Sequence, residues 1–157
     1  MKKLDWKTLV ALAAGGSAAL LIGAFIFQAL GYAPCKMCLW QRYPHGVAIA
    51  VGALALILKQ KWMAWIGALA ALATAGIGVF HSGVERKLWD GPSSCTGGST
   101  SGISTTDLMD QIMSAPLVRC DEIPWEMFGV TMANLNALFS VALAVVWVLA
   151  ATRSARG

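Results

Sequence analysis

Four cysteines carry the reactive potential of this 157-residue chain, and their spacing is uneven. Cys35 and Cys38 stand three apart within "PCKMCLWQR", and Arg42 follows the second thiol by four residues. Two thiols at that spacing can close a small ring or hold half of a metal site. A bridge over so short a loop adds little stability, because the entropic gain grows with loop length. The same spacing suits a bond that is made and broken, since the second thiol is always at hand to resolve a mixed disulfide. Lys36 and Arg42 bring positive charge to the pair, and on a helix Arg42 shares a face with Cys38. Both cations favour the thiolate, which is the nucleophile.

Cys95 and Cys120 are 25 residues apart, and a bridge between them is worth about 3–4 kcal/mol by chain entropy. A plain structural staple is one reading of this pair. The other rests on "CTGGSTSGISTTD", Cys95 to Asp107, a tether of Gly, Ser and Thr that lets Cys95 reach a partner's thiol. A flexible segment of that length spans about 25–30 Å, so Cys120 could also deliver electrons to Cys35. Three connectivities among the four cysteines remain open. Four thiols could instead bind zinc, but the second pair lacks the close spacing of a tetrahedral site, and no metal is expected.

The elements that must position these thiols are apolar. The chain is 57% hydrophobic and 13% charged, far from the soluble balance of roughly half and a quarter. Its net charge of +4 does not imply nucleic acid, because the basic residues flank apolar runs and form no stripe. Four uncharged runs stand out: 9–30, 43–58, 62–80 and 130–151. At about 1.5 Å per residue, 20 residues cover the roughly 30 Å hydrocarbon layer. The 43–58 run is short, and its place among the spans rests on the need to return the chain. The first run is longer than the core of a cleaved signal, so it is read as a retained span.

The expected fold is an all-α membrane protein, residues 1–157 forming one domain. It is a four-transmembrane-helix bundle with two outward-facing cysteine-bearing loops, 31–42 and 81–129. Seven of the twelve Lys and Arg residues fall at the termini and in the 59–61 turn, which places those parts in the cytoplasm. The cysteines then face the oxidising side, where disulfides persist. Gly15, Ala19 and Gly23 form one small-residue seam for helix packing, and Gly67, Ala71 and Ala75 another. No Asp, Glu, Lys or Arg lies inside a span, which argues against a transporter. Gln28, Asn134 and Asn136 are read as ties between helices, and His45 as an interfacial residue. In the second loop a short helix is expected from Ser104 or Thr105 to Ser114, with Leu108, Met109, Ile112 and Met113 on one face.

Together these features resemble the disulfide bond formation protein B (DsbB) family, inner-membrane oxidases that recharge a periplasmic thiol oxidase. The resemblance rests on "PCKMCLWQR", a His at the outer end of the third span, "GPSSC" before Cys95, and "CDEIPWEMFGVTM" (120–132) leading into the fourth span. It implies a relay in a multi-pass protein of the bacterial inner membrane. Cys95 would form the mixed disulfide with a DsbA-like partner of thioredoxin fold, Cys120 would resolve it and exchange with Cys35, and Cys38 would face a membrane quinone. Ubiquinone is favoured over menaquinone. Arg42 would hold a quinone carbonyl oxygen, and His81 or Glu85 would line the same site. Two rivals stand beside it: a zinc- or disulfide-stapled scaffold without turnover, and a vitamin K epoxide reductase-like enzyme.

Overall fold

The computed structural model describes residues 5–96, 104, 109, 113 and 118–154. Four long helices account for most of them: α1 (Trp6–Ala29), α2 (Lys36–Leu58), α3 (Met63–Glu85) and α4 (Met132–Ser154). Asp5 caps α1 by accepting from the Thr8 backbone N–H at 3.1 Å, satisfying one of the donors a helix start leaves unpaired. Gly31, at φ 99°, turns the chain between α1 and α2 in a backbone region closed to most side chains. The connections from α1 to α2 and from α2 to α3 are short, which makes consecutive helices antiparallel neighbours. The helices form a ring in which α4 also packs on α1, while α1 and α3 lie across the diagonal.

Size, rather than polarity, separates inside from outside. The interior is built largely from alanines, among them Ala48, Ala64, Ala71, Ala144 and Ala150, around one large side chain, the buried Trp147. Outward faces carry Ile22, Phe25, Ile57, Leu69, Leu72 and Leu138, each at least half exposed. In water such a surface would be an extreme apolar patch; in lipid it is the expected coat. α1, α3 and α4 are each long and apolar enough to cross a membrane. α2 has the length, but Lys36 and Arg42 belong to it as well as the apolar 43–58 stretch.

Gly67 seats the Trp147 indole so closely that a Cβ there would lie 2.6 Å from ring atoms. The seam of Gly67, Ala71 and Ala75 therefore packs as expected. The seam of Gly15, Ala19 and Gly23 does not. Gly15 and Ala19 are exposed, and α1 turns Leu9, Val10, Ala13 and Ser17 inward instead.

Two boundaries also differ from expectation. α2 starts at Lys36, so most of the first outer loop is helix, and Pro44 lies inside it. Cys35 makes this early start possible, since its sulfur accepts from the Cys38 backbone N–H at 3.2 Å and caps the first turn. α3 runs on past residue 80 to Glu85, because Ser82, Val84 and Glu85 are buried in the bundle rather than released to a loop. The helix expected up to Ser114 lies mostly outside the described residues; Met109 and Met113 are helical and exposed.

Before α4 a two-residue hairpin pairs β1 (Glu126–Met127) with β2 (Val130–Thr131). Phe128 and Gly129 both take positive φ, 52° and 79°, as the tight turn between twisted strands requires. Arg86 pins this turn to α3 by donating to the Gly129 carbonyl at 2.5 Å and to Asn134 Oδ1 at 3.2 Å.

Candidate functional site

At the hairpin end of the bundle the four cysteines meet. Cys35, Met37, Val84, Cys95 and Cys120 form one buried cluster, with Cys38 packed against it. Cys95 and Cys120 are bonded to each other, and both are buried. Of the three possible connectivities this leaves Cys35 and Cys38 as the free pair. Sulfurs bonded to each other offer no thiolate to a metal, so the four cysteines do not act as one ligand set here. The Cys120 backbone N–H also donates to the Cys95 carbonyl at 2.8 Å. Cys95 is thus bonded and buried, where the tether reading expected a sulfur free to move.

Cys35 and Cys38 occupy the first turn of α2, ahead of its apolar stretch. Their sulfurs are 2.8 Å apart, with the Cys35 thiol donating. That bond, then burial, pushes the Cys35 thiol up, while accepting it draws Cys38 down against the opposing effects of burial and Glu85. Of the two sulfurs, Cys38 is the one on which negative charge is better tolerated.

Arg42 lies one turn beyond Cys38 and is held by α1. Nη1 donates to Gln28 Oε1 at 2.7 Å, Nη2 donates to the Ala24 carbonyl at 3.3 Å, and the guanidinium sits 4.8 Å from the centre of the Phe25 ring. Gln28 is a tie between helices, as expected. Cys38 and Arg42 both line a cleft that encloses about 630 Å³ including its mouth. Leu20, Leu21, Ala24 and Phe27 of α1 give it an apolar wall; His81, Gln41, His45 and Asn136 supply the polar one. An apolar slot with a few convergent polar groups, here beside the Cys38 sulfur, is the usual form of a small-ligand site.

His81 and Glu85 are close to each other, but only His81 lines the cleft. Its Nε2 lies 3.5 Å from Cys35 Sγ and 3.7 Å from Glu85 Oε1. Glu85 is buried behind it and accepts from Thr131 Oγ1 at 2.6 Å. His45, expected at the interface, is turned into the bundle. It is 3% exposed, with Nε2 2.9 Å from Asn136 Oδ1. Asn136 and Asn134 tie helices as expected, Asn136 bonding Gln41 and Thr74, and Asn134 bonding Ser82. Gln41 and Thr131 complete the site, although no motif singled them out. Gln41 falls three residues after Cys38, and that helical spacing was the available signal.

Cys35, Cys38 and His81 could together offer a metal ion three ligand atoms, all within 4.8 Å of one another. The same three residues border a second cavity with Val118, Glu122 and Pro124. Beside it, Arg119 forks onto Asp121 at 3.0 and 2.7 Å and holds that carboxyl below its usual range.

The family described as "Disulfide bond formation protein DsbB" matches residues 6–150. Relatives named "Disulfide bond formation protein B" from Acidovorax sp. (strain JS42) and Paracidovorax citrulli are each 30% identical. They cover 96% of this chain and 90% and 91% of their own lengths. An uncharacterized protein of Rickettsia prowazekii is 25% identical over 79% of this chain and 73% of its own. No solved structure matches.

Proposed function

The chain belongs to the disulfide bond formation protein DsbB family, and on that premise we propose that it oxidises the dithiol of a thioredoxin-fold partner and passes the electrons to a membrane quinone. The observation that carries the reading is the packing of an intact disulfide against a free thiol pair that itself borders an apolar cleft. Family membership removes the reason to prefer a vitamin K epoxide reductase-like enzyme, and a static scaffold would not need two sulfur pairs in one cluster.

The partner's thiolate attacks Cys95, and Cys120 leaves as a thiolate. Cys120 attacks Cys35 in the oxidised Cys35–Cys38 bond, and Cys38 leaves in turn. Each step exchanges one S–S bond for another. Cys38 is suited to leave because its charge is favoured there. A quinone held between the α1 wall and Cys38 would supply the two-electron, two-proton acceptor for that pair. Arg42, fixed by Gln28 and Ala24, would meet a carbonyl oxygen of that ring and stabilise negative charge there without having to reorganise. Four spans, cytoplasmic termini and cysteines on the outer face belong to the same proposal.

The test uses purified full-length protein, a reduced DsbA-like protein and ubiquinone. Ubiquinone reduction should follow partner oxidation one for one, and Cys38→Ser should abolish it while the helical signal is kept. Turnover at the parent rate in Cys38→Ser would remove the assignment.

A further inference from the structure

Gln41 is 6% exposed, and both ends of its amide are committed. Its Nε2 lies 3.3 Å from the Met37 carbonyl oxygen and 2.9 Å from His81 Nδ1, while its Oε1 accepts from Asn136 Nδ2 at 2.7 Å. A backbone carbonyl can only accept, so the nitrogen of Gln41 must be the atom that faces Met37.

Asn136 is fixed in the same way. Thr74 Oγ1 gives its proton to the Gln41 carbonyl at 3.0 Å, so toward Asn136 Nδ2, 3.1 Å away, it accepts. Asn136 Oδ1 is then the acceptor for His45 Nε2. Two carbonyls, those of Met37 and Gln41, set the direction of every bond in the chain. The second N–H of Gln41 points at His81 Nδ1, which must therefore hold a lone pair. The ring proton is left on Nε2, toward Cys35 Sγ and Glu85 Oε1, both able to accept.

We propose that Gln41 is a positioning residue that locks His81 in the Nε2–H form, so that the imidazole donates toward the Cys35 sulfur instead of taking a proton from it. The proposal rests on the reading that Cys35 and Cys38 are the exchanging pair. The step concerned is the attack of the Cys95 thiolate on Cys120 within a Cys35–Cys120 bridge. The Cys95–Cys120 bond forms, the Cys35–Cys120 bond breaks, and its electron pair leaves on Cys35 as a thiolate. No oxidant or proton enters. An N–H facing that sulfur stabilises the departing charge, alongside the Cys38 N–H at 3.2 Å. A lone pair in the same place would repel it.

The chain has only two histidines, which makes the test direct. Full-length protein in lipid nanodiscs, labelled with ring-¹⁵N histidine, gives two ring spin systems, assigned with His81→Asn. His81 should show an unprotonated Nδ1 and a protonated Nε2. In Gln41→Glu a carboxylate accepts where the amide donated, so the proton should move to Nδ1. Single-turnover closure of the Cys95–Cys120 bond should then slow on the order of tenfold. A proton on Nδ1 in the parent protein overturns the lock, as does an unchanged ring in Gln41→Glu. Should that variant not fold, the parent spectrum decides alone. A ring proton that follows residue 41 in a protein that oxidises no thiols would instead sink the proposed function and leave the lock standing.

Discussion

Arg42 holds three contacts at once: the Gln28 amide oxygen, a carbonyl of α1 and the face of Phe25. A lysine can keep the charge but not the planar fork that makes two of them. Arg42→Lys should raise the quinone KM about tenfold, on the order of one to two kcal/mol, and leave the exchange between the cysteine pairs near the parent rate. An unchanged KM in a quinone titration would exclude the guanidinium from the cleft. At this scale the sequence was partly legible. The cysteine spacing and the cation one turn beyond it announce themselves by chemistry. Gln41 does not, because its meaning lies in Asn136 and His81, 95 and 40 residues away. The burial of His45 was hidden for the same reason: its partners Asn136 and Thr74 come from other helices.

For the helices, periodicity found the apolar cores but not the ends or the faces. Polar residues beyond the cores stay helical when the bundle buries them, as with Ser82 and Glu85. Small-residue spacing marks a seam without saying which of two seams is used. Substitution can read the answer: at Gly67 an added methyl meets the Trp147 indole, whereas at Gly15 nothing lies within 4 Å. Gly67→Ala should destabilise by about 1–3 kcal/mol through overpacking. Gly15→Ala should be neutral or stabilising by up to about 1 kcal/mol, since alanine is the better helix former. Thermal unfolding in one detergent measures both, and equal effects would contradict the packing of α1 and α3.

Across the molecule, an alanine interior beneath a coat of Leu, Ile and Phe leaves lipid as the matching solvent. Basic residues at the 59–61 turn and the termini orient it in the proposal above. On intact cells a membrane-impermeant maleimide should label Ser93→Cys and spare Gln60→Cys; both positions are exposed. The reverse pattern would invert the protein. The four-helix layout could be read from composition and run length, whereas the meeting of both sulfur pairs could not, since it depends on how the 118–124 segment folds back over α2.

That fold-back has a kinetic corollary. The hydrogen bond from the Cys120 amide to the Cys95 carbonyl does not involve sulfur, so cutting the bridge beside it does not by itself remove it. The two halves then stay at high effective concentration, and closing the ring again is a local event rather than a search through solvent. In the proposed relay, the chain's own backbone would reset the site between one client and the next.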